Sequence, residues 1–274
     1  MRARTKSRER KVPDALALGS KFDNYKPEEE KEVRNVEVKE HEVLKQLKDA
    51  WGRHKATSLI TPHRPPSYGY EQALETVRNL SYSAADVEKF SLVLAEFQDE
   101  ENFPNRAGAF LSALINNGKD TDYIIHTQHL GKKIHSIGRA NTKRITVNGA
   151  VGNTIGSEMK SGSITVNGDV GYAVGEAMEC GKITVNGDAG YGVGWGMEGG
   201  IIIVNGNAGD EVGGAMSGGS ITVNGTAGVR AGETMKNGQI HLEGKYESLA
   251  SNIKGGKIYH KGKLIKDIHG SHYY

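Results

Sequence analysis

A nineteen-residue unit recurs between Arg144 and Gly244, carrying Ile-Thr-Val-Asn-Gly at Ile145, Ile164, Ile183 and Ile221 and Ile-Ile-Val-Asn-Gly at Ile202. Aligning the units puts Gly149, Gly168, Gly187, Gly206 and Gly225 in one column. Met159, Met178, Met197, Met216 and Met235 form another, so five of the six methionines share one phase. Such spacing constrains the fold strongly, because a unit this short cannot bury its own apolar face and must stack on copies of itself. Asn-Gly beside β-branched residues ordinarily signals a hairpin, which needs strand-like sequence on both sides of the turn. The far side here is Gly168-Asp169-Val170-Gly171-Tyr172-Ala173-Val174-Gly175. That glycine-spaced path suits a chain turning corners about an axis, with Gly supplying backbone conformations closed to other residues. Each unit is therefore read as one coil of a parallel β-helix.

Alternation along a strand sends Ile183 and Val185 to one face and Thr184 to the other, so Ile and Val point inward. Ile155, Val174, Val193 and Val212 supply a second inward column, and the methionines a third, where an unbranched thioether fills an irregular gap. On the outside, Asn148, Asn167, Asn186, Asn205 and Asn224 stack about 4.8 Å apart, close enough for an amide ladder along the axis.

The unit Gly-x-Ile-x-Val-x-Gly-x-x-Gly-x-x-x-Gly-x-x-Met-x-x resembles the glycine-rich repeat of the C-type subunit of formylmethanofuran dehydrogenase. It is also similar to the C-terminal domain of the glutamate synthase large subunit. The run from Gly206 to Gly219 carries the likeness best, and the match extends over roughly Tyr123 to Gly262. The resemblance implies a right-handed β-helix that serves as a structural element for contacts between subunits, without catalytic residues of its own.

Composition divides the chain. Thirty-two of the 37 glycines follow residue 130, whereas all six prolines precede residue 105, which sets a boundary near residue 120 and keeps proline out of strands paired on both sides. Three segments follow from this: a basic and polar tail over 1–31, a helical region over 32–120, and the glycine-rich β-helix with its C-terminal cap over 121–274, about seven coils in all. The formal net charge of +2 argues against an obligate nucleic-acid binder. The lone Cys180 excludes an internal disulfide framework. No apolar run is long enough to span a bilayer and no signal peptide is evident, so a cytoplasmic location is expected.

Met1 to Lys11 sets Arg2, Arg4, Lys6, Arg8, Arg10 and Lys11 against Glu9, a solvated tail with nothing apolar to bury, and the polar stretch on to Lys31 is a linker. Val36, Val43, Leu44, Leu47 and Trp51 recur at helical spacing over Glu32 to His54. Thr61-Pro62-His63-Arg64-Pro65-Pro66 then breaks regular structure. Helices are expected over Glu71–Leu80, from a Ser83 cap answered by Asp86 to Gln98, and from Asn105 to Asn117 with Gly118 as the stop.

Several sites suggest chemistry that their context does not support. His126, His129 and His135 have no zinc-type spacing, and His269 and His272 are read the same way. Gly194-Trp195-Gly196-Met197-Glu198-Gly199 matches a dinucleotide fingerprint only in letters, being one phase of the repeat rather than a strand-to-helix turn. Asp169 and Asp188 share a column with Ala150, Asn207 and Thr226, so no calcium column forms. A nineteen-residue period is not the hexapeptide period of acyltransferase β-helices. Cys180 stands in a column with Ser161, Gly199, Gly218 and Asn237, as a tolerated small residue. No catalytic residue, metal or cofactor is expected.

The departures from the repeat carry more information. Tyr172 and Tyr191 stand in a column that elsewhere holds Asn153, Asp210 and Val229, while Trp195 replaces Ser157, Glu176, Gly214 and Glu233 at its own position. The interior columns are already filled, so these aromatics are expected on the outside, as candidate interface residues or as cover for the chain's own helices. The expected function is a non-catalytic scaffolding subunit that docks onto an enzyme subunit of an oxidoreductase-type complex, a reading compatible with self-association as well. The alternative is an enzyme or ligand-binding protein with a pocket between helices and solenoid, using His63, Arg64 or Tyr68.

Overall fold

The computed structural model describes residues 42–54 and 68–269. The tail Met1–Lys11, the linker, Val36, the Thr61–Pro66 break with His63 and Arg64, and His272 lie outside the described residues, as does the Tyr68 side chain. Val43–Tyr274 forms one compact unit, so the change in composition near residue 120 falls inside it. Helix α1 occupies 42–53, α2 Tyr68–Val77, α3 Ala84–Val93 and α4 Phe103–Asn117, with a short 3-10 turn at Leu94–Phe97. Nine strands follow: β1 Asp122–His126, β2 Arg144–Asn148, β3 Ser163–Asn167, β4 Lys182–Val185, β5 Ile201–Val204, β6 Ser220–Val223, β7 Gln239–Leu242, β8 Gly256–His260 and β9 Lys263–Ile268. They form one sheet in chain order. Strands β1 to β8 run parallel, and β9 turns back antiparallel to β8.

The fold is a parallel β-solenoid of about seven turns. Its register is that of the repeat, with Ile145 beside Ile164, Ile164 beside Ile183 and Ile183 beside Ile202. The inward columns are buried: Ile183, Val185, Val174, Val193, Val212, Met178, Met197 and Met216 are all 0% exposed. Outside, each Asn amide of the ladder donates to the next Asn carbonyl at 2.7–2.9 Å, from Asn224 down to Asn148. A second ladder lies beside it. The Asp169 carboxylate accepts from the Asp188 N–H at 2.9 Å, Asp188 from the Asn207 N–H at 2.7 Å, and Asn207 from the Thr226 N–H at 2.8 Å. These side chains serve the backbone of the neighbouring coil.

The glycines do two different jobs. Gly175 takes the left-handed conformation expected of a corner, at φ +65°. Gly168, Gly171 and Gly187 do not take it, and their reason is space. A Cβ on Gly187 would lie 2.7 Å from the carbonyl carbon and oxygen of Gly168 and 2.3 Å from Asp169 Oδ1, so the coils can stack only if that side chain is missing. Non-glycine residues also carry left-handed backbone, among them Ala173, Ala177, Glu211, Ala215 and Arg230.

The helices begin or end slightly away from the positions expected. α2 starts at Tyr68 and stops at Val77. The segment opened by Ser83 tightens into the 3-10 turn after Val93. α4 starts at Phe103 because Asn102 adopts φ +55° and Pro104 sits in the first turn, where no N–H is needed. The Ser83 capping box forms: Ser83 Oγ accepts from the Asp86 N–H, and Asp86 Oδ2 accepts from the Ser83 N–H at 2.9 Å. Gly118 ends α4 in extended rather than left-handed backbone. A side chain there would meet Tyr123 Oη at 2.0 Å.

Helix α4 closes the first coil. A Cβ on Gly108 would lie 1.5 Å from the His135 carbonyl oxygen, the His135 N–H donates to the Pro104 carbonyl at 3.0 Å, and the Gly138 N–H donates to Ser112 Oγ at 3.0 Å. Helix α3 lies along β1, where the His126 N–H donates to Ser91 Oγ at 3.1 Å. Behind these contacts Trp51 is packed by Phe90, Phe97, Phe103 and Phe110. The Arg106 guanidinium lies 4.3 Å from the Trp51 ring, pairs with Glu100 and donates to the His54 carbonyl at 2.7 Å.

His54 stacks on Phe110, is 2% exposed, and neither ring nitrogen has a hydrogen-bond partner. Burial, then the Arg106 charge, hold its pKa down from 6.5 to about 4. The folded state therefore binds fewer protons at His54 than the unfolded state does. Its contribution is intact above pH 6.5 and is lost as pH falls toward 4, a loss on the order of 3 kcal/mol. His54→Phe is expected to flatten the stability profile over that window relative to wild type. Urea midpoints at pH 7.5 and 4.5 measure it, and an unchanged difference between the two pH values would refute the assignment.

Candidate interaction face

Each coil leaves its strand, turns at the Asn-Gly corner and crosses a second side through the sequence that ends at the buried Met. On that side the tenth and fourteenth positions of the coil project outward, because Val174 and Met178, Val193 and Met197, Val212 and Met216 hold the interior. Tyr172 and Tyr191 occupy the tenth position and are 53% and 44% exposed. The described helices thus leave them uncovered. Trp195, at the fourteenth position, is half-buried.

The aromatic rings are held in place. Tyr191 and Trp195 stack with ring centroids 6.0 Å apart and planes 29° from parallel. The Trp195 ring lies over Gly214 of the next coil, where a Cβ would fall 2.5 Å from Trp195 Cε3. Gly214 therefore makes the room that Trp195 occupies, a stronger relation than a position that merely tolerates glycine. The Tyr191 hydroxyl donates to Glu211 Oε2, and Arg230 Nε donates to Glu211 Oε1 at 3.0 Å. Arg230 also lies 4.0 Å from Glu233, whose Oε1 accepts from Asn252 Nδ2 at 2.6 Å.

The pKa shifts follow from this chain of contacts. The hydrogen bond to Glu211 pushes the Tyr191 hydroxyl up to about 12, so it stays a donor. Burial raises the Glu211 carboxyl, but the Tyr191 hydroxyl and the Arg230 guanidinium outweigh it and hold Glu211 below the usual range. A buried carboxylate with two such donors is a fixed anion.

Departures from the repeat locate the aromatics but not Glu211 and Arg230. A signal for these two is nonetheless present, since opposite charges one repeat apart meet across adjacent coils. Lys160 with Glu179 and Arg139 with Glu158 do the same.

The other sequence candidates go elsewhere. His126 Nε2 meets Glu88 Oε1 at 2.9 Å, His135 Nδ1 accepts from the Asn153 N–H at 2.9 Å, and His129 and His269 are exposed. Among the described residues no group of three His, Cys, Asp or Glu could hold a metal ion, and no helix is long and apolar enough to cross a membrane. Gly194-Trp195-Gly196 lies within a coil and opens no helix. Cys180 is exposed. An open cleft of about 570 Å³ lies at the far end of the solenoid, lined by Lys236, Lys257, Asp267 and His269 among others; Lys257 and Asp267 pair there at 3.9 Å.

No protein-family model matches the chain, and no curated protein matches it.

Proposed function

We propose that this chain is a non-catalytic scaffold that docks a protein partner through the face built from Tyr172, Tyr191 and Trp195. The resemblance of its repeat suggests that the partner is an enzyme subunit of an oxidoreductase-type complex. The observation that carries the docking role is an exposed aromatic surface already fixed in one conformation. Tyr191 is tied through its hydroxyl to Glu211, and Trp195 is seated on Gly214. Rigid aromatic side chains on a regular scaffold lose little conformational freedom on association, and such residues concentrate binding energy at interfaces.

The test is recovery of the native partner on tagged protein, identified by mass spectrometry, with wild type, Trp195→Ala and Thr184→Ala compared side by side. Trp195→Ala is expected to weaken association by about 2 kcal/mol, roughly thirtyfold in Kd, while Thr184→Ala on the sheet face leaves it unchanged. Circular dichroism should show both variants folded. Equal recovery on Trp195→Ala would remove the assignment of this face.

A further inference from the structure

Resting on that docking role, we propose that the aromatic face recognises a cationic segment of its partner, with an arginine or lysine side chain laid across Tyr172, Tyr191 and Trp195 and met by carboxylates on either side. The argument begins with what flanks the rings. Glu176 follows Tyr172 by four residues in its own coil and precedes Trp195 by one repeat in the same column. Asp210 follows Tyr191 in the tyrosine column. The face thus places carboxylates against aromatic rings in both directions, along the coil and across the coils. Electron-rich ring faces and nearby carboxylates attract the same ligand, a cation.

The charge balance of this side points the same way. From the tenth to the fifteenth position of the coils starting at Ser163, Lys182, Ile201 and Ser220, the anions are Glu176, Asp210, Glu211 and Glu233, and the only cation is Arg230. Arg230 is already engaged by Glu211, and its guanidinium shows what the surface accepts: a planar cation seated on a carboxylate that also holds the Tyr191 hydroxyl. The Glu176 carboxylate makes no hydrogen bond or ion pair among the described residues. Asp210 gives one oxygen to the Val229 N–H and has no ion pair among them. A partner bringing an arginine would repeat, next to Tyr172 and Trp195, the contact that the chain makes internally at Glu211. An apolar segment would strand these carboxylates without compensation.

The test uses a short arginine-containing peptide and its citrulline counterpart, which keeps the shape and hydrogen bonds of arginine without the charge. Binding to the full chain is followed by the fluorescence of Trp195, with Trp195→Ala identifying its signal against that of buried Trp51. The arginine peptide is expected to bind at least about tenfold more tightly than the citrulline peptide, with affinity falling as salt is raised. The double variant Glu176→Gln, Asp210→Asn should lose that preference. Its fold is preserved, because Asn keeps the oxygen that accepts from Val229 and the Glu176 carboxylate holds nothing. Equal binding of the two peptides, or a double variant that still discriminates, overturns the proposal. Absence of peptide binding, with Trp195→Ala still releasing the native partner, also overturns it while leaving the docking role intact. Trp195-dependent self-association in sedimentation, unaffected by either peptide, overturns it in favour of a second copy of the chain.

Discussion

Gly187→Val is expected to lose about 3 kcal/mol or more of stability, while Thr184→Val, three residues away, stays within about 0.5 kcal/mol of wild type. The new Cβ at Gly187 would have to occupy space 2.7 Å from the Gly168 carbonyl group. Relief requires two coils to separate, and that separation would stretch the Asn167–Asn186 amide contact of 2.8 Å and the Asp169–Asp188 contact of 2.9 Å together. Backbone against backbone offers no rotamer through which the strain can escape. Thr184 instead points outward from a strand, beside Thr165 and Ile203, where a β-branched apolar residue already occupies the row. Chemical denaturation of both variants decides the matter. A reversed or equal ranking would mean that the spacing between coils is not set by the glycine column.

Trp51→Ala is expected to remove about 4 kcal/mol, in the range found when a buried aromatic is truncated. The indole is 1% exposed and is touched by aromatic rings with centroids 5.4–6.4 Å away. Its Nε1 donates to Glu100 at 3.2 Å, and its face lies under Arg106. Truncation therefore opens a cavity and also unseats a guanidinium that is 8% exposed and holds the His54 and Trp51 carbonyls. Far-UV circular dichroism during urea titration should show the helical signal lost at a lower denaturant concentration than in wild type. A shift corresponding to less than about 1 kcal/mol would show that the surrounding phenylalanines collapse into the space.

Much of the solenoid was legible because side-chain period and repeat length are both written in the sequence. Ile183 and Val185 alternate with Thr184, and the same alternation one repeat on fixes the register. The two roles of glycine were not legible. Gly175 and Gly187 are the same letter, yet one supplies a left-handed turn and the other a vacancy against the next coil, and only the stacked backbone separates them. Left-handed residues that are not glycine, such as Glu211 at φ +58°, leave no mark at all, because the hydrogen bonds between coils impose that conformation. Asp169 and Asp188 look like ion ligands in one dimension and prove to be acceptors for the adjacent coil's N–H groups. At the candidate site the rings stood out as departures from a column. The Glu211–Arg230 contact that organises them required counting one full repeat along the chain. The helix ends were misplaced by a few residues where local backbone decided them, as at Asn102.

Because the interior coils are nearly interchangeable, the solenoid works as a ruler. Its two ends are unlike the coils, one covered by α3 and α4 and the other turned back on itself by β9, so neither end sets how many coils lie between. Each coil advances the axis by one strand spacing, about 4.8 Å. The distance from the helices to Tyr191 and Trp195 is therefore graduated in whole coils, and gaining or losing one nineteen-residue unit between them would move the aromatic face by one graduation while leaving its make-up untouched. Whatever meets this face also meets it at a fixed reach from the helical end.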